Sequence, residues 1–164
     1  MHDLKEEVYR LFSDPCAGKC VSMVRMQMER VSECLYGKEK LRDTQTAAGI
    51  IKQIFAKADR EVMAVMSVSC RMEPLAIEIV AVGGLDCCHI DIRSLFKHAI
   101  LNNAGAVFCF HNHPGGDPTP GRDDQEVTEK IRKAGELLEI RLVGHIIIGN
   151  GRYYSFHRNK VCSF

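Results

Sequence analysis

The chain has 164 residues and a mass of 18.4 kDa, with 46% hydrophobic and 26% charged side chains, which excludes a disordered or fibrous protein and suits one globular core. Lys and Arg number 22 against 21 Asp and Glu, a net charge of +1 without the basic excess of a phosphate-backbone binder, so nucleic acid is not an expected partner. No apolar run reaches the ~18 residues of a membrane span, and MHDLKEEVYR is too acidic and polar to open a secretory signal. The expectation is a cytoplasmic protein with no membrane partner.

Helical spacing over Asp3 to Leu11 predicts a short first helix, and Pro15 and Gly18 mark the loop after it. From Cys20 to Glu33 the residues alternate, with Val24, Met26 and Met28 on one side and Arg25, Gln27 and Glu29 on the other, as in a half-buried strand. A helix begins at Asp43 or Thr44 and carries Ala47, Ile50, Ile51, Ile54 and Phe55 on one stripe. Two strands follow, Glu61 to Val68 and Leu75 to Val82, whose apolar runs read as the centre of a sheet and whose polar connection suits an antiparallel hairpin. A helix capped near Asp91 presents Ile92, Leu95, Phe96, Ala99 and Ile100. The strand Ala106 to Phe110 runs into HNHPGGDPTPG; beyond it come a helix from Arg122 to Leu138, a strand from Ile140 to Ile148, a Gly149-Asn150-Gly151 turn and a last strand through Phe156.

The eight cysteines, at 16, 20, 34, 70, 87, 88, 109 and 162, lie partly in apolar runs and are expected to be reduced. Cys16 and Cys20 have the spacing of half a zinc knuckle, but no second close pair follows at a matching separation. Chemistry is concentrated instead after Phe110. His111 and His113 stand two apart at a strand end, so both imidazoles project to one side and can share a metal ion. Pro114 turns the chain out of the sheet, and Asp124 arrives in the first turn of the next helix, where the dipole favours a carboxylate. Two imidazoles and a carboxylate leave a fourth tetrahedral position open, the arrangement of catalytic rather than structural zinc. Two surface histidines and a helix-start aspartate would give the same residues.

Other HxH chemistries fit poorly. A dinuclear HxHxDH site needs Asp and His where Gly115 and Gly116 stand, a zinc deaminase needs HxE with PCxxC, and the barrel hydrolases need about 250 residues.

HNHP followed by Asp124 makes the pattern HxHx10D, and with it the chain resembles the JAB/JAMM (MPN-type) metalloproteases, in particular their RadC-like branch. The resemblance runs from about Arg42 to Phe156 through DREVMAVMSV, AIEIVAVGGL, FKHAILNNAGAVFCFHNHPGGDPTPGRDD and KAGELLEIRLVGHIIIGNGRYYSF. It implies a lead-in over residues 1–41, with a short helix and a strand, and a RadC-like JAB/JAMM domain over residues 42–164. The implied fold is a single α/β domain with a mixed, largely antiparallel sheet flanked by helices, similar to the cytidine-deaminase-like core of that family.

By the same resemblance His111, His113 and Asp124 match the ligands of one mononuclear zinc, and Glu61 matches the family's general base. The implied activity is hydrolysis of an amide bond, peptide or isopeptide, by a zinc-activated water. From the residues alone Glu61 stands no apart from Glu73 or Glu78. Two positions depart from the family pattern. Gly121 occupies the place of a serine expected to stabilise the oxyanion, a loss that by analogy costs ~10²- to 10³-fold in turnover. Gly144 stands where many RadC-like chains carry an aspartate, which removes any supporting carboxylate there. His145, in the apolar run VGHIII, reads as a satisfied core histidine rather than a support for the site, and Cys109 as a buried packing thiol. Two other readings stay open: a catalytically weak or inactive interaction module, which Gly121 favours, and a DNA-repair-associated RadC-like protein.

Overall fold

The computed structural model describes residues 28, 29, 31, 41, 43–56, 58–84 and 90–164. The chain divides into two compact units, Met1–Glu33 and Cys34–Phe164, and all the elements below belong to the second. The expected helix over Asp3 to Leu11, most of the strand from Cys20 to Glu33, and Cys16, Cys20, Cys34, Cys87 and Cys88 lie outside the described residues.

Helix α1 spans Thr44–Phe55, capped by Asp43, whose side chain accepts from the Thr46 amide at 2.8 Å. Strands β1 (Val62–Val68) and β2 (Pro74–Val82) form the antiparallel hairpin read from the sequence. Helix α2 (Ile92–Leu101) starts on its own aspartate cap, Asp91. Strand β3 (Ala106–Asn112), helix α3 (Arg122–Leu137) and strand β4 (Arg141–Ile148) follow, then β5 (Arg152–Ser155) and β6 (Lys160–Ser163).

The six strands make one mixed sheet in the order β2-β1-β3-β4-β5-β6. Only β3 and β4 run parallel, because α3 carries the chain back between them; every other neighbouring pair is antiparallel. The α/β fold class with a largely antiparallel sheet flanked by helices is therefore the observed one. Strand β1 is central and buried, whereas β2 forms an edge, with Leu75, Ile79 and Val82 exposed. Its apolar run covers that edge instead of filling the middle of the sheet.

Strand periodicity sorts side chains onto two faces. Ala64, Met66 and Val68 of β1, Phe108 and Phe110 of β3, and Ile146 and Ile148 of β4 pack with Ala47, Ala48, Ile51 and Phe55 of α1. On the other face Met63, Val65, Val107 and Cys109 meet Leu95, Phe96 and Ala99 of α2 and Ile131 of α3. His111 shares the parity of Val107 and Cys109, so it emerges on the α3 side, where Asp124 waits in that helix's first turn.

Candidate metal centre

Three side chains converge where the end of β3 meets the start of α3. His111 Nε2 lies 3.2 Å from His113 Nε2 and 3.0 Å from Asp124 Oδ1, and His113 Nε2 lies 3.5 Å from Asp124 Oδ2. Among the described residues this is the only group of three or more His, Cys, Asp or Glu side chains able to hold a metal ion together. The cluster is graded in exposure, from 6% at the His111 side chain to 20% at those of His113 and Asp124, so it opens outward on one side.

Each imidazole is oriented from behind. His113 points Nδ1 at the Asp117 carbonyl, 2.8 Å away, and a carbonyl can only accept, so the proton sits on Nδ1 and Nε2 faces the cluster with its lone pair in the neutral ring. His111 points Nδ1 at His145 Nε2 at 2.9 Å. Two imidazole nitrogens and a carboxylate thus crowd together within about one hydrogen-bond length, an arrangement that a shared cation or proton relieves. The Asp124 carboxylate raises His113 above its ordinary pKa against the opposing effect of burial, and the Asp117 carbonyl and the Glu61 charge add to the rise. Burial pushes Asp124 upward, but its hydrogen bonds with His111 and His113 outweigh this and hold the carboxyl far below the usual carboxylate range.

Local chemistry explains why the loop and helix start here. Pro114 takes the chain out of the sheet, and Gly116 adopts a φ of +86°, which glycine tolerates at low cost. The returning loop is tied to the β4–β5 turn by the Asn150 amide donating to the Gly116 carbonyl at 2.9 Å, and the Asp117 carboxylate accepts from the amide and hydroxyl of Thr119. Gly121 is the N-cap of α3, and its amide donates to Asp124 Oδ2 at 2.7 Å, so one carboxylate both caps the helix and faces the histidines.

Glu61 precedes β1, with its main chain bonded to Gly83 and Gly84. The β1–β3 register pairs Met63 with His111, and Glu61, two residues before Met63, is close enough for its charge to act on His113. Sequence reasoning passed over the residue that holds this segment. Asn112, 5% exposed, accepts from the Val62 amide at 2.9 Å and donates to the Arg60 carbonyl at 3.0 Å, bracketing Glu61 on both sides. No local signal marks Asn112, since its partners lie 50 and 52 residues away.

His145 was also undervalued. It is fully buried, as a core histidine should be, but it bonds His111 directly and stacks on Phe156 with ring centroids 5.0 Å apart. Its neighbour Gly144 faces the opposite side, where an added Cβ would stand 3.1 Å from the Phe108 ring and 3.5 Å from Thr44 Cγ2. A side chain at position 144 therefore points toward α1 and away from the cluster, so the glycine takes nothing from it. Cys109 is fully buried, and burial raises its thiol pKa far above the ordinary value, consistent with a packing role. His98, which showed no partner pattern in the sequence, is buried against Glu78 Oε2 at 2.9 Å on the α2 side.

The fold and the cluster define an α/β domain with an HxH…D group at the junction of a strand end and a helix start. The family model for RadC-like JAB domains matches residues 41–161. A UPF0758 protein of Desulfitobacterium hafniense is 32% identical over 161 residues, covering 98% of this chain and 70% of that relative. A UPF0758 protein of Desulforudis audaxviator is 37% identical over 115 residues, 70% of this chain and 50% of the relative, and one from Methanosarcina acetivorans is 47% identical over 78 residues, 48% and 34%. The chain belongs to the RadC-like JAB domain family. It spans from about one third to 70% of the length of these relatives. No helix among the described residues is long and apolar enough to cross a membrane.

Proposed function

We propose that His111, His113 and Asp124 hold a single zinc ion and that the domain hydrolyses an amide bond in a peptide or isopeptide substrate. The observation that carries this reading is the convergence of three donor groups whose imidazoles have their Nδ1 atoms engaged elsewhere. The donor set fits the ion in kind, and one ligand atom from each of the three residues lies within 4.8 Å of the other two. When bound, such an ion acidifies a water molecule and polarises a carbonyl oxygen.

The chain's own residues supply the rest. Glu61, whose charge reaches His113, accepts the proton of the attacking water and returns it to the leaving amine nitrogen. The anchored loop from Asp117 to Arg122 borders the open side and is the natural rest for substrate backbone. Gly121 leaves the oxyanion without the family's serine hydroxyl, which lowers turnover and leaves the ligand set intact.

Metal analysis of the purified protein beside His113→Ala tests the site: about one equivalent against none is expected, and equal metal in both overturns it. Cleavage of fluorogenic peptides and ubiquitin-like fusions, with Glu61→Gln alongside, tests the chemistry. Equal signals from the two proteins would reject the hydrolase. Gly121 favours a second reading, an interaction module that keeps the metal without catalysis; full metal content with no cleavage by wild type or Gly121→Ser would select it.

A further inference from the structure

Behind His111 lies a line of polar groups that the proposed chemistry does not use. His111 Nδ1 is 2.9 Å from His145 Nε2, His145 Nδ1 is 2.6 Å from Thr128 Oγ1, and Thr128 Oγ1 is 2.5 Å from the Asp124 carbonyl oxygen. The line leaves one metal-site residue through its imidazole and reaches another through its main chain, passing only through His145 and Thr128.

Its direction follows from the group at its far end. A carbonyl has no proton to give, so the Thr128 hydroxyl donates to Asp124 and its oxygen is left to accept. His145 then donates from Nδ1 to Thr128. His145 has no exposed surface and so no water to serve its nitrogens, and the single proton of a neutral imidazole is already spent on Nδ1. Its Nε2 is left as an acceptor and takes the proton of His111 Nδ1. His111 therefore keeps a proton on Nδ1, and Nε2, the atom facing His113 and Asp124, is the nitrogen left free to exchange its proton for a metal ion.

We infer that Thr128 and His145 are positioning residues that set the His111 tautomer, and that the helix carbonyl of Asp124 is the ultimate reference for it. The inference deepens the metal-site reading and rests on it for its effect on affinity, while the proton on His111 Nδ1 belongs to the chain with or without the ion. Removing the Thr128 hydroxyl leaves His145 Nδ1 without an acceptor. His145 then gains by moving its proton to Nε2 and donating to His111 Nδ1, which sends the His111 proton to Nε2 and blocks the ligand position.

The test uses Thr128→Val, which keeps shape and loses the hydroxyl, and Thr128→Ser, which keeps the hydroxyl. Zinc affinity by competition with a chromogenic chelator is expected to fall about 10- to 100-fold in Thr128→Val and to stay within about twofold of wild type in Thr128→Ser. Histidine-selective 15N–1H correlation spectra of the metal-free proteins at pH 8 are expected to show a proton on His111 Nδ1 in wild type and Thr128→Ser, and none on that atom in Thr128→Val. A Thr128→Val protein with wild-type zinc affinity and an unchanged His111 tautomer overturns the inference. His145→Phe, which keeps a ring against Phe156, provides a second variant with the same expected loss of affinity. Should the wild type bind no zinc, the proposed function fails by itself, and the metal-free spectra still decide the tautomer.

Discussion

The two faces of the central strands differ in kind. On the α1 side Ala64, Met66, Phe108, Phe110, Ile146 and Ile148 are apolar from one strand end to the other. On the α2/α3 side Met63, Val65, Val107 and Cys109 are apolar, but the same face also carries His111 and His145. Neighbours in sequence thus belong to different tasks: Phe110 packs against α1 and His111 faces Asp124. A strand places its polar chemistry on one side while the other side holds the sheet to a helix, and the pleat keeps the two apart.

The largest effects should separate the faces most cleanly. Phe110→Ala is expected to cost about 3–5 kcal/mol of stability in urea denaturation, with the folded fraction keeping its full metal content. His113→Ala is expected to lose the metal while moving the stability of the metal-free protein by about 1 kcal/mol or less. Loss of metal from folded Phe110→Ala would show that the faces are not independent.

Asn112 sits at the boundary and tests its sharpness. Its two bonds to the Arg60 carbonyl and Val62 amide hold Glu61 in place. Asn112→Ala should lower stability by about 1–3 kcal/mol and reduce turnover up to about 10²-fold through misplacement of Glu61, with metal content unchanged. Metal lost together with turnover would assign Asn112 to the ligand cluster instead.

A smaller effect concerns pH. Burial of His98 lowers its pKa below the ordinary 6.5, against the raising influence of Glu78. The unfolded chain takes up that proton first, so the stability of the folded protein is complete above pH 6.5 and declines as pH falls below it. His145 acts in the same direction, because burial also drives its pKa down, and His113, whose pKa is raised, acts against both. Read as urea midpoints, wild type should lose stability relative to His98→Gln as pH drops from 7.5 to 5.5; parallel slopes would remove His98 from the account. The least effect is expected at the helix start. Gly121 has an extended backbone and only Asp124 Oδ2 near an added Cβ, at 3.5 Å, so Gly121→Ser should raise stability by a few tenths of a kcal/mol in the same assay.

What could be read from the chain alone was what depends on near neighbours. Asp43 and Asp91 announce α1 and α2 by capping chemistry, and the β1–β2 hairpin follows from two apolar runs around a polar turn. His111, His113 and Asp124 were legible because a strand end, a proline turn and a helix start bring them together over a short span of sequence. Strand β6 was missed, since Lys160–Ser163 is only four residues long and lacks an alternating apolar pattern. The edge position of β2 was hidden because strand order is decided by pairing between distant segments. Glu61 had no mark of its own and was singled out only by family resemblance. His145 looked like packing because its polar partners, Thr128 and His111, lie 17 and 34 residues away.

Asp124 is gripped through two different parts of itself: its carboxylate meets the histidines, and its carbonyl receives the Thr128 hydroxyl. A slide of α3 by a single residue would undo both grips in the same movement. Amide exchange in the opening turn of this helix is therefore expected to slow as the cluster fills and to quicken as it empties.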